Sequence, residues 1–136
     1  MSVGIVIVAH HRLGEEFLKS LRLIIPDAPN FQAVAIEPGQ SAEEMKEAIG
    51  DALTAADSGH GVLVLTDMFG GTPSNISLSF LDDRRVEVVT GLNLPMLIKL
   101  ATLKEEKSLT DLAIYIKDYG RRNISVAREI LPEGDS

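Results

Sequence analysis

Residues 61–75 read GVLVLTDMFGGTPSN, and the fold turns on how this stretch is understood. The apolar run Val62-Leu63-Val64-Leu65 suits a strand buried on both faces, as in a parallel sheet covered by helices. Asp67 stands where the run stops. Gly70-Gly71 then makes a turn that calls for positive φ, and Thr72-Pro73 predicts a helix start. Thr is a good N-cap, and Pro is tolerated at the first helical position because its missing N–H would have no partner there. A carboxylate is thus expected at the end of a buried strand, beside a helix N-terminus whose free N–H groups favour an anion.

Working outward, residues 3–9 (VGIVIVA) form a β-branched run that predicts a first buried strand, followed by His10-His11-Arg12. Residues 13–25 place Leu13, Phe17, Leu18, Leu21, Ile24 and Ile25 on one helical face, and Pro26 and Pro29 end it. A second strand is expected over 31–36, then a turn at Glu37-Pro38-Gly39. Ser41 with Glu44 makes a capping box for a helix reaching about Ala56. The third strand covers 62–66, a short helix 73–81 is closed by Asp82-Asp83, and the fourth strand covers 86–90. Asn93-Leu94-Pro95 caps a helix through about Leu103. Residues 108–131 read as mostly helical with a bend at Gly120, and a frayed tail follows from Pro132. One domain over 1–131 with a tail at 132–136 is the expected organisation, with no repeat, linker or low-complexity segment.

This alternation predicts an α/β domain with parallel strands joined by right-handed crossovers. In the flavodoxin-like strand order 2-1-3-4, strands one and three lie side by side at the switch point, where ligands bind outside the carboxyl ends. His10 ends strand one and Asp67 ends strand three, so the topology brings them together. A neutral imidazole is a competent nucleophile near neutral pH. A carboxylate accepting from Nδ1–H would fix the tautomer, leave the Nε2 lone pair outward and stabilise the charge that develops on attack. Phosphorus is a fitting electrophile, because phosphoryl transfer asks chiefly for alignment and charge stabilisation. The N–H groups near Gly71 and Thr72 and the Thr72 hydroxyl would hold the phosphoryl oxygens.

Composition narrows the classes. The 136 residues carry a net charge of −7, with 45% hydrophobic and 24% charged residues, ordinary for a globular domain. That acidity argues against nucleic acid as a partner, since phosphate backbones need clustered Lys and Arg. No apolar run approaches the roughly 18 residues of a membrane span, and the first residues show no secretory signal pattern. With no cysteine, disulfides, thiol catalysis and thiolate metal sites are excluded. A cytoplasmic protein with no cofactor, metal or membrane insertion is expected.

Three motifs, IVIVAHH at 5–11, TDMFGGTPSN at 66–75 and GLNLPML at 91–97, together resemble the IIA proteins of the mannose family of the bacterial sugar phosphotransferase system. The similarity covers nearly the whole chain at matching spacings. It implies a phosphoryl carrier that accepts from phospho-HPr on His10, oriented by Asp67 and helped by Thr72, and donates to a histidine of a separate IIB protein. It also implies a homodimer with one exchanged C-terminal antiparallel strand, which here would come from about residues 126–131. Two positions depart from the family's habit: His11 stands where glycine commonly follows the histidine, and Met68 where a polar residue often follows the carboxylate.

Plainer readings exist for each residue. A strand-end histidine is ordinarily structural, and Asp67 alone could serve an Asx turn. His11 reads as a hydrogen-bonded neighbour and His60 as surface at the opposite edge. The acidic helical stretches around 43–47 and 105–106 read as solvated faces. Met68 and Phe69 either pack inward or, if exposed, form a hydrophobic docking rim with Leu92 and Met96. A response-regulator receiver would need an acidic pair after strand one, and a flavin binder a hydroxyl- and Gly-rich phosphate loop; neither is present. No P-loop or G-x-G-x-x-G occurs. A metal hydrolase using His10, His11 and Asp67 is disfavoured because adjacent extended residues point oppositely. Two readings within the fold remain open beside sugar uptake. One is a regulatory phosphoacceptor; the other is the phosphoryl-transfer subunit of a dihydroxyacetone kinase.

Overall fold

A computed structural model describes residues 2–82 and 85–132. Asp83 and the tail at 133–136 lie outside the described residues. The near-continuous apolar runs become the two central strands, β1 (Gly4–His10) and β3 (Val62–Thr66). The shorter β2 (Gln32–Ile36) and β4 (Val86–Thr90) flank them in a parallel sheet of order β2-β1-β3-β4. The helices are α1 (Leu13–Ile24), α2 (Ala42–Ala56), α3 (Thr72–Leu78), α4 (Leu94–Thr102), α5 (Leu109–Arg122) and α6 (Ala127–Ile130). The expected flavodoxin-like α/β fold is therefore present.

Side-chain alternation along β1 and β3 builds two cores. Ile5, Ile7, Ala9, Leu63 and Leu65 face Leu18, Leu21, Leu97, Leu112 and Ile116 of α1, α4 and α5. Val6, Val8, Val62 and Val64 face Ile49 and Leu53 of α2 together with Phe80. The register Ile5↔Leu63, Val6↔Val64 and Ile7↔Leu65 keeps like faces together. Each fully buried Ile, Leu or Val contributes roughly 1.5–3 kcal/mol, so these two strands are the least movable part of the molecule. Both carry the candidate site at their carboxyl ends.

The details differ from expectation in instructive places. The capping box at Ser41 and Glu44 forms, and Asn93 caps α4 through Oδ1 and the Met96 amide at 3.1 Å. The cap of α3, however, is Gly71, and Thr72 is already helical. Gly70 alone takes the positive φ of that turn, at 89°. Helix α3 also stops at Leu78, short of 81. Gly120 does not bend α5, which runs unbroken to Arg122. Its lack of a side chain instead admits Met96, whose chain fills the space a Cβ would occupy. After Asn123 the chain makes the single turn α6, so the segment expected to supply an exchanged strand is helical in this single chain. Among the described residues no helix is long and apolar enough to cross a membrane.

Candidate active site

Strand β1 runs two residues beyond Val8, its last position paired with β3, opposite Thr66. His10 therefore arrives beside Asp67, although 57 positions separate them along the chain. The Asp67 Oδ2 atom accepts from the His10 amide at 3.0 Å and from its Nδ1 at 2.8 Å. Oδ1 accepts from the Met68 amide at 3.1 Å. A carboxylate can only accept, so Nδ1 carries the proton and Nε2 of the neutral ring keeps a lone pair. The side chain of Asp67 is 11% exposed and that of His10 is 45% exposed, so the orienting group is sheltered while the ring reaches solvent.

Burial pushes the Asp67 carboxyl up, but hydrogen bonds from the His10 amide and ring, the attraction of that ring when it is protonated, and the residue's own backbone together outweigh this. The net effect holds it below its ordinary 3.8. The group is ionised at neutral pH and faces the ring as an anion.

The second boundary of the site is Gly71. A Cβ there would lie 2.8 Å from His10 Cε1 and 3.2 Å from Nε2, closer than a side chain tolerates. Glycine is required at this point for proximity, and the backbone at the start of α3 lies against the edge of the ring that carries Nε2. Thr72 follows and is exposed. Thr66 anchors the loop from below, its carbonyl accepting from the amides of Gly91 and Leu92 at 3.0 Å each. That tie brings the 91–93 loop to the same edge of the sheet.

The expected docking rim divides. Met68 is 52% exposed and Phe69 is 70% exposed, both following Asp67. Leu92 and Met96 are buried in the core and form no part of a rim. The Asn93 cap orients α4 so that Met96 lies on Gly120, and Asn93 Nδ2 donates to the Gly120 carbonyl at 3.1 Å.

The two histidines go separate ways. Nδ1 of His11 lies 2.7 Å from Glu37 Oε1, and its amide donates to the Ile36 carbonyl at 2.9 Å. His11 has φ 52°, the only positive φ outside glycine among the described residues. Such a conformation costs a non-glycine residue roughly 1–3 kcal/mol. The pair of histidines diverges because the second is left-handed, not because the backbone is extended. Glu37 was legible only as a turn residue, although its place directly after strand two, the neighbour of strand one, was the available signal. His60 is exposed and lies before β3, at the opposite end of the sheet.

The lowered pKa of Asp67 makes a stability prediction. Its contribution is complete above the unfolded value of about 3.8 and is lost as pH falls through the lower folded value. Asp67→Asn should therefore melt below the wild type at neutral pH, with the gap closing below about pH 4. Thermal melts of both proteins across that range check it; a gap of constant size would show that the carboxylate's charge is not what stabilises the fold.

The profile of the EIIA-man family, described as "PTS system fructose IIA component", matches residues 4–116. The chain is 31% identical over 130 residues to the "PTS system fructose-specific EIIA component" of Bacillus subtilis (strain 168), covering 95% of this chain and 89% of that protein. It is 30% identical over 130 residues to the "PTS system mannose-specific EIIAB component" of Escherichia coli (strain K12). That match covers 94% of this chain and 40% of the longer relative. Among solved structures, the "Mannose/sorbose specific IIA subunit of phosphotransferase system from Enterococcus faecalis" superposes with a TM-score of 0.86 at 28% identity, covering 98% of each chain. A profile spanning most of the sequence and a relative matched along almost all of it make this chain a member of the mannose family of phosphotransferase-system IIA proteins.

Proposed function

We propose that this protein is a phosphohistidine carrier that takes a phosphoryl group from phospho-HPr on His10 and passes it to a IIB partner. The observation that carries the reading is the 2.8 Å bond from His10 Nδ1 to Asp67 Oδ2, which leaves Nε2 as the outward nucleophile. The Nε2 lone pair forms the new N–P bond as the bond from phosphorus to the donor's ring nitrogen breaks, and that nitrogen keeps the electron pair. His10 retains its Nδ1 proton, so the ring becomes cationic and faces the ionised Asp67. The backbone at Gly71 and the Thr72 hydroxyl stand beside the incoming phosphoryl oxygens. Donation to IIB reverses the same step, with the neutral imidazole as leaving group.

Met68 and Phe69 provide the apolar contact for both protein partners in this reading. Their exposure next to His10 supports it, since a large solvated aromatic ring at a transfer site is costly without a partner to cover it. The same relay works in a homodimer. The outer edge of β4 carries no strand among the described residues, and Ile124, Val126, Ile130 and Leu131 are exposed beyond α5. Two copies would bury both features; sedimentation of a monomer at micromolar concentration would remove the dimer from the proposal.

Incubation with phosphoenolpyruvate, enzyme I and HPr, followed by intact-mass spectrometry, tests the central step. The wild type should gain one phosphoryl group, His10→Ala none, and His11→Ala should still reach full modification. Asp67→Asn should be modified more slowly. A normal adduct on the His10 variant would refute the assignment. Phe69→Ala should raise the KM for phospho-HPr several-fold while leaving the melting temperature nearly unchanged, as loss of a docking side chain does. Equal damage to both would return Phe69 to a packing role.

A further inference from the structure

We propose that the His11–Glu37 pair is a positioning device for the nucleophile, holding residue 11 left-handed so that the ring of His10 stays on Asp67. The proposal rests on the carrier reading and adds to it two residues that touch no reacting atom. His11 and Arg12 are the only residues between the end of β1 and the start of α1. So short a link has no slack. Helix α1 is anchored in the core by Leu18 and Leu21, so a change of φ at residue 11 would fall on His10.

The left-handed conformation at residue 11 is uncommon outside glycine, even for histidine, which enters it more readily than most, and here it has added support. The support comes from β2 and the loop behind it. The His11 amide is bonded to the Ile36 carbonyl and its ring to the Glu37 carboxylate. Glu37 is itself fixed, its amide donating to Gln40 Oε1 at 2.9 Å. Gln40 directly precedes Ser41, which caps α2. A continuous set of bonds therefore runs from the start of α2 through Glu37 and His11 to the nucleophile. The His11 side chain is 72% exposed, so its ring is held by the Glu37 bond and not by burial. Glycine at this position would adopt the same backbone with no such support. From this follows a test that a merely structural surface pair would not pass.

Four variants are compared: Glu37→Ala, Glu37→Gln, His11→Gly and the double variant Glu37→Ala/His11→Gly. Phosphoryl uptake is timed over a range of phospho-HPr concentrations. Glu37→Ala should lose about 3- to 10-fold in maximal rate with KM unchanged, the scale of a small misplacement of a reacting group, and Glu37→Gln, whose Oε1 still accepts from His11 Nδ1–H, should lose less. His11→Gly and the double variant should both stay within about twofold of wild type, because glycine has nothing for Glu37 to hold. An unchanged rate in Glu37→Ala, or a double variant as slow as Glu37→Ala, would overturn the proposal. A second readout is independent of any donor: nitrogen-detected NMR of the His10 ring in the unmodified protein. The Nδ1–H form should lose population in Glu37→Ala and recover in the double variant; an unchanged ring spectrum in Glu37→Ala overturns the proposal. Should wild type take up no phosphoryl group, the carrier reading fails, while the ring spectra still decide whether the pair positions His10.

Discussion

One carboxylate oxygen, Oδ2 of Asp67, accepts from both the backbone and the ring of His10. The double attachment constrains the position of the residue and the rotation of its imidazole at once, which a bond to the ring alone would not do. It can exist only where two parallel strands end side by side. The pairing of β1 with β3, packed on both faces, supplies that condition. The apolar cores thus have a direct chemical consequence: they keep the two strand ends from drifting, and so keep the His10 ring on Asp67. The same bonds hold the Asp67 carboxyl below its ordinary value, outweighing the burial that pushes it up.

Around this pair the backbone is used in two unusual ways. Gly71 comes so near the imidazole that any side chain would collide with it. His11 takes a left-handed conformation directly after His10. The first is met by choosing glycine. The second keeps a histidine and surrounds it with bonds from the end of β2. Gly71 places main chain, not side chain, next to the edge of the His10 ring that carries Nε2.

The 91–97 motif shows how packing can redirect an apolar residue's role. Its residues lie at the edge that holds His10, yet Leu92 and Met96 turn into the core because Asn93 caps α4 and bonds to α5. Met68 and Phe69 follow Asp67 in the turn between β3 and α3 and remain exposed. The exposed apolar side chains that follow Asp67 are consequently two, Met68 and Phe69.

By itself, the sequence determined the parallel α/β order, the strand limits to within a residue and the meeting of His10 with Asp67. Those follow from local rules: alternating burial along a strand, caps at helix starts, and the handedness of crossovers. The three-residue spacing of Ser41 and Glu44 was enough to place the start of α2. Only the tertiary structure decided the partner of His11, the inward turn of Leu92 and Met96, the cap of α3 and the role of Gly120. Each of these depends on which atoms from a distant segment arrive within a few ångströms. Glu37 reaches His11 because β2 lies beside β1, and Met96 needs Gly120 because α4 crosses α5. Hydropathy patterns record whether a residue is buried on average; they do not record the neighbour that buries it.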